Sequence, residues 1–285
     1  MISQNQKAMA TKSPEPGSKS VRVISVTSGK GGVGKTNITA NLAIALARLG
    51  RQVLIWDADL GLANIDILLG LNSRYNINHL LNGDKTLEEI IIEGPEGVKI
   101  MPASSGIQEM AALSEGQKVR LLNEFDHYNL DLDFLLIDTG AGVSSNVMYF
   151  NMAAQECIIV VTPEPTSITD AYALIKIMTT KYNAKRYKIL MNLVSSAEEA
   201  KTIFTLLASV ADKHLDSISL DYLGYIPRDE YIPESIKKQR ALLDLYPSSE
   251  SSKFFKDLAK RVINSPIKSN LDGNIKFFWQ RLLRY

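Results

Sequence analysis

A chain of 285 residues with 32 Lys and Arg against 31 Asp and Glu has a formal net charge of +1. That balance excludes a polybasic nucleic-acid binder, so no direct nucleic-acid contact is expected and any anion must be held locally. A single cysteine, Cys157, excludes an intrachain disulfide or a cysteine-ligated cluster within one chain, and the lack of an apolar signal core or of any run near ~18 apolar residues leads to the expectation of a cytoplasmic protein.

Residues 1–20, with Pro14, Pro16, Gly17 and four serines, are too polar to bury a core and read as a flexible tail. Val21 to Thr27 then reads as a buried strand, and Ile38 to Ala47 as a helix. Further apolar runs follow at Val53 to Trp56, Val98 to Met101, Phe134 to Ile137, Ile158 to Val161, Lys188 to Leu193 and Ser219 to Leu223, with helical patterns between most of them. This alternation predicts an α/β fold over residues 21–265, a mainly parallel β-sheet with helices on both faces and ligands at the carboxyl ends of its strands. Residues 266–273, with Pro266 and Gly273, read as a linker.

Between the first strand and the first helix lies Gly29-Lys30-Gly31-Gly32-Val33-Gly34-Lys35-Thr36. The pattern G-x-x-x-x-G-K-T, flanked by strand and helix, is a phosphate-cradling loop: glycines let backbone N–H groups approach the phosphates, and the helix N-terminus adds partial positive charge. Lys35 is placed to reach the β- and γ-phosphates, and Thr36 to offer its hydroxyl to Mg²⁺. Lys30 is a second cation inside the loop, placed where it could serve a nucleotide in a facing subunit.

Three aspartates end strands near this loop. Period two puts Asp57 and Asp59 on one side of an extended segment, so both can face it. One acid near Mg²⁺ and one acceptor orienting a water would divide the work of hydrolysis, and Asp57 and Asp59 could share those tasks between them. Asp138 closes an apolar strand, and Gly140 and Gly142 after it mark a loop able to sense the γ-phosphate. The alternative for each aspartate is a helix cap or turn residue. At the end of Leu190 to Val194, Leu193 and Ser195 stand where a guanine reader needs a lysine and an aspartate, so adenine is favoured and ATP is the expected nucleotide.

The K-G-G-V-G-K-T form resembles the deviant Walker A P-loop of the MinD, ParA and nitrogenase iron protein class. The resemblance spans residues 21–265 or so. It implies a nucleotide-sandwich homodimer when ATP is bound, in which Lys30 crosses to the other subunit, with Asp59 and Asp138 at the two switch positions, Asp59 as the acceptor for the attacking water and Asp57 and Asp138 on the metal side. It also implies that Asn192 contacts adenine and that Ile226-Pro227-Arg228-Asp229 lies over the base, so that Pro227 and Asp229 join the nucleotide site. Three stretches, Asp57 to Asp66, Thr166 to Lys176 and Lys237 to Ala241, are similar to the flagellar number regulators of the FlhG/FleN family. That narrower resemblance implies a Mg-ATP switch limiting flagellar number and placement, with the FlhF GTPase, flagellar C-ring proteins and a flagellar transcription regulator as partners. The N-terminal element Asn5 to Thr11 keeps only Gln6 of the D-Q-A-x-x-L-R pattern that serves FlhF in that family. A MinD-type cell-division regulator and other ParA-like positioning ATPases share the same loop and are the alternative.

The chain ends in Asn274 to Tyr285, where Ile275, Phe278, Trp279, Leu282 and Leu283 recur at helical spacing and Lys276, Arg281 and Arg284 lie off that face. An apolar stripe edged by cations is the pattern of a helix lying on an anionic membrane surface, here the inner face of the cell membrane. A last helix docked on the protein's own core would show the same stripe.

Overall fold

The computed structural model describes residues 21–59, 64–103, 114–127 and 131–266. The expectations for the tail 1–20, for most of the linker and for the membrane-facing Ile275, Phe278, Trp279, Leu282 and Leu283 lie outside them.

Eight strands alternate with helices: β1 (Arg22–Ser28), α1 (Lys35–Arg48), β2 (Val53–Ala58), α2 (Ile65–Leu68), α3 (Ile77–Asn82), α4 (Leu87–Ile90), β3 (Ile92–Glu93), β4 (Lys99–Met101), α5 (Glu115–His127), β5 (Phe134–Ala141), α6 (Ser145–Ala153), β6 (Glu156–Val161), α7 (Pro165–Tyr182), β7 (Arg186–Val194), α8 (Ala197–His214), β8 (Ser219–Pro227), α9 (Tyr231–Lys237), α10 (Leu242–Leu245) and α11 (Glu250–Asn264). They form one sheet in the order β3-β4-β2-β5-β1-β6-β7-β8. Every described pairing is parallel except β3 with β4, as the sequence alternation predicts. The antiparallel β3 is too short to leave a periodic signal. β8 runs four residues past its apolar stretch: Gly224 and the half-buried Tyr225 interrupt the run, while pairing with β7 resumes at Gly224 after a register shift.

The strands read as unbroken apolar runs because both faces are covered. On one face Ile24, Val26, Val53, Ile55, Leu136 and Ile158 pack with α1, α2, α10 and α11. Their neighbours Val23, Leu54, Trp56, Leu135 and Ile137 face α3 to α6, and Cys157, Ile159 and Val161 face α6 to α8. The fully buried Trp56 meets Phe150 edge-on, with ring centroids 4.9 Å apart. Burying a side chain of that size contributes on the order of 3 kcal/mol. It also anchors the end of β2 immediately before Asp57.

β1 lies between β5 and β6, so consecutive strands depart to either side of it. The crevice this opens at the carboxyl end of β1 is where a doubly wound sheet binds its ligand.

Candidate nucleotide site

The phosphate loop leaves β1 at Ser28, whose hydroxyl donates to the Lys30 carbonyl at 2.6 Å and sets the first turn. Gly29 follows, where a Cβ would stand 2.1 Å from the Asp170 main-chain oxygen, so α7 is packed directly on the loop's backbone. Gly32 and Gly34 take φ of 77° and 92°, left-handed values that L side chains rarely adopt. Gly31 has open space around it, its nearest such neighbour being 4.0 Å away. Gly34 caps α1, and its carbonyl accepts from Ile38 N–H at 3.0 Å. The helix N-terminus is thereby aimed at the loop.

Lys35 is buried, which pushes its ammonium pKa down, while the charges of Asp138 and Asp59 push it back up. Thr36 hydrogen-bonds Asp138, and Thr39, one turn along the same helix face, donates to Asp138 Oδ1 at 3.2 Å. Asp138 stands opposite Asp57 across β2 and β5, each only 1% exposed. Burial raises Asp57 to about 6, and burial together with the Asp57 charge raises Asp138 to about 7. Two carboxyls side by side next to one buried ammonium form a site whose charge a divalent cation would complete. Thr36 and Asp138 offer the oxygen donors that Mg²⁺ requires.

Asp57 has further engagements. Its carboxylate accepts from the N–H groups of Asp59, Asn64 and Ile65 at 3.2, 3.0 and 3.2 Å, tying down the start of α2. These are the contacts of a capping residue, and Asp57 also adds its charge beside Asp138. Asp59 faces the end of β5, which continues through Gly140 to Ala141 where the sequence suggested a loop: a Cβ on Gly140 would lie 3.4 Å from its Oδ1. Gly142, at φ 89° just past the strand, donates from its N–H to the Ser28 carbonyl at 2.9 Å, joining the end of β5 to the foot of the phosphate loop.

Asn192 ends on the opposite wall. Its Nδ2 donates to the Val33 carbonyl at 2.8 Å, while its Oδ1 is buried without a partner. A lone acceptor suits the exocyclic amine of adenine and opposes the 6-oxo group of guanine. The next residue, Leu193, has φ 59° where the β7–β8 register shifts, an irregularity that aims Asn192 at the loop. Pro227 and Asp229 also hold the neighbouring helices. The Pro227 carbonyl accepts from Ser251 Oγ, and the two Asp229 oxygens accept from Tyr231 and Ser251 N–H at 3.0 and 3.1 Å. Asp229 thus joins the starts of α9 and α11, a role indistinguishable in sequence from that of a ligand contact.

Lys30 reaches the start of α7, where its ammonium bonds the Glu164 carboxylate and, at 2.8 Å, Thr166 Oγ1. Sequence reasoning missed Thr39 as a partner of Asp138, and Glu164 and Thr166 as the partners of Lys30 outside the phosphate cradle. Only Thr39, on the same helix as Lys35 and Thr36, carried a local signal.

A family model described as "NUBPL iron-transfer P-loop NTPase" of the ParA group matches residues 19–263. The chain is 45% identical over 265 residues to the antiactivator FleN of Pseudomonas aeruginosa, covering 93% of this chain and 94% of FleN. It is 34% identical over 267 residues to the flagellum site-determining protein YlxH of Helicobacter pylori, covering 93% and 90%. Among solved structures it is similar to the septum site-determining protein MinD of Pyrococcus horikoshii complexed with Mg-ADP, at a TM-score of 0.67 and 28% identity over 86% of this chain and 96% of that one. As for iron, Cys157 is buried at the start of β6 with its thiol pushed up to about 12, which withholds the thiolate a cluster needs.

Proposed function

Because this chain belongs to the ParA/MinD family of P-loop ATPases, we propose that it is an ATP-driven dimerising switch that limits the number and placement of flagella. The relation to FleN and YlxH supports the flagellar side of this reading, and the second lysine of the phosphate loop supports the dimer. Bound Mg-ATP supplies the phosphoanhydride bond whose hydrolysis resets the switch. Around it, the N–H groups from Gly29 to Thr36 and the Lys35 ammonium would bind the phosphates, and Thr36 with Asp138 would hold the magnesium. Asp59 would orient the attacking water, and Asn192 Oδ1 would accept from the adenine amine. Lys30 would be donated to the phosphates of a second copy.

The remaining assignments follow the FlhG/FleN resemblance. The homodimer would sit as a peripheral protein on the inner face of the cell membrane, held by the 274–285 segments. One short amphipathic segment binds weakly, and two joined by dimerisation bind far better through effective concentration. The FlhF GTPase, flagellar C-ring proteins and a flagellar transcription regulator are the expected partners.

The test is complementation. Expressed in Pseudomonas aeruginosa lacking FleN, the chain should restore the wild-type flagellar number, and its Lys35→Ala variant should not. Failure of the wild-type chain to change flagellar number, at normal expression, would overturn the flagellar reading and leave the ATPase assignment standing.

A further inference from the structure

In the lone protomer Lys30 is already engaged. Its ammonium meets the Glu164 carboxylate and Thr166 Oγ1, residues 134 and 136 positions away. Three features hold it there. Ser28 fixes the turn at the Lys30 carbonyl, and the close approach of Gly29 to the Asp170 oxygen presses the loop onto α7. Glu164, the residue before Pro165 at the head of α7, makes no side-chain capping bond, so its carboxylate is free to serve the lysine. The pair is open to solvent, with Lys30 at 32% and Glu164 at 61% side-chain exposure.

An ammonium paired with Glu164 cannot move to another subunit's phosphates without leaving that carboxylate behind, close to the incoming negative charge. We propose that Glu164, assisted by Thr166, is a positioning residue that retains Lys30 in cis and thereby sets how readily the ATP-bound protomer pairs with a second copy. The inference rests on the reading of Lys30 as a residue supplied in trans. Glu164 itself touches neither nucleotide nor water in this scheme; it acts through the lysine.

The experiment is sedimentation velocity of the full chain with Mg²⁺ and a non-hydrolysable ATP analogue, beside nucleotide affinity measured at concentrations where the chain is monomeric. An exposed ion pair is worth up to about fivefold in an equilibrium, and a dimer releases two, so Glu164→Gln should tighten dimerisation by up to about 25-fold. Monomer affinity for the nucleotide should stay within about twofold. Thr166→Val should act in the same direction and less strongly, and Glu164→Gln should have no effect in a Lys30→Ala background. If Lys30→Ala pairs as well as the wild type, the role in trans fails and this inference with it. If Lys30→Ala abolishes pairing but Glu164→Gln leaves it unchanged or weakens it, the role in trans stands and the retention by Glu164 is refuted. Tightening by Glu164→Gln that persists in the Lys30→Ala background would also refute it.

Discussion

The side-chain amide of Asn192 donates to the main-chain carbonyl of Val33 at 2.8 Å, so the end of β7 is tied directly to the middle of the phosphate loop. The two residues lie 159 positions apart in the chain. Gly34 permits this contact, since a Cβ there would come within 2.7 Å of the same amide nitrogen. One side chain can therefore both brace the cradle and present an acceptor to the base. Replacing it by alanine removes a buried hydrogen bond and strands the Val33 carbonyl, a loss of about 1–3 kcal/mol. Asn192→Ala should bind ATP about tenfold or more weakly by calorimetry, and its preference for ATP over GTP should narrow. An unchanged ATP/GTP ratio would remove the base contact and leave only the brace.

The glycines of the loop are not equivalent. Gly29→Ala drives a methyl into the Asp170 main-chain oxygen, where no side chain can swing away, and overpacking of this kind costs about 1–3 kcal/mol or more. Gly31→Ala meets open space and should stay within about 0.5 kcal/mol of the wild type. Thermal unfolding of the two variants without nucleotide should separate them by several degrees. Equal midpoints would contradict the tight packing of α7 on the loop.

Most of the sheet was legible because strands buried on both faces leave continuous apolar runs, and Gly29 to Thr36 was legible because its chemistry is local to eight residues. What escaped is non-local or ambiguous by nature. Lys30 finds Glu164 only once β1 and α7 are laid side by side, and the backbone irregularity at Leu193 has no compositional mark. Asp57 and Asp229 show the second limit. A carboxylate at a strand end suits a ligand and a helix start equally, and only the path of the following backbone shows which N–H groups reach it.

The paired carboxyls give the nucleotide-free protein a pH dependence. Asp57 and Asp138 titrate near 6 and 7 when folded, against 3.8 for an ordinary aspartate. The folded chain therefore holds their protons more tightly than the unfolded chain does, and their contribution to stability declines as pH rises from about 4 through 7. Asp138→Asn removes the more strongly shifted of the two and relieves Asp57 of a like charge. In EDTA at pH 8 the variant should melt above the wild type, with a gain of roughly 1 kcal/mol or more, and the difference should shrink toward pH 5. The same variant should lose Mg-dependent ATP hydrolysis. A wild type whose midpoint rises from pH 5 to pH 8 relative to Asp138→Asn would reverse the sign and defeat the argument.

Asp59 separates hydrolysis from binding. It lies beside Gly140 and contributes charge to Lys35, yet it follows the strand that carries Asp57 and supplies no N–H donor to the phosphate loop. Removing its carboxylate should therefore leave the cradle of Gly29 to Thr36 intact and take away an acceptor for the attacking water. Losing a positioned general base typically slows a reaction by about 10²–10⁴-fold. Asp59→Ala should bind ATP within a few-fold of the wild type while single-turnover hydrolysis falls by about 10² or more. Its dimers, formed with ATP itself, should then persist where those of the wild type decay, because the nucleotide is no longer consumed. Asp59→Asn keeps the size of the side chain and most of its polarity but not its basicity, so it should resemble the alanine variant in rate. Full activity in Asp59→Asn would mean that the residue positions the water through a hydrogen bond that an amide can equally make. Full activity in Asp59→Ala would remove Asp59 from the chemistry and turn attention to the segment that follows β5 at Gly142.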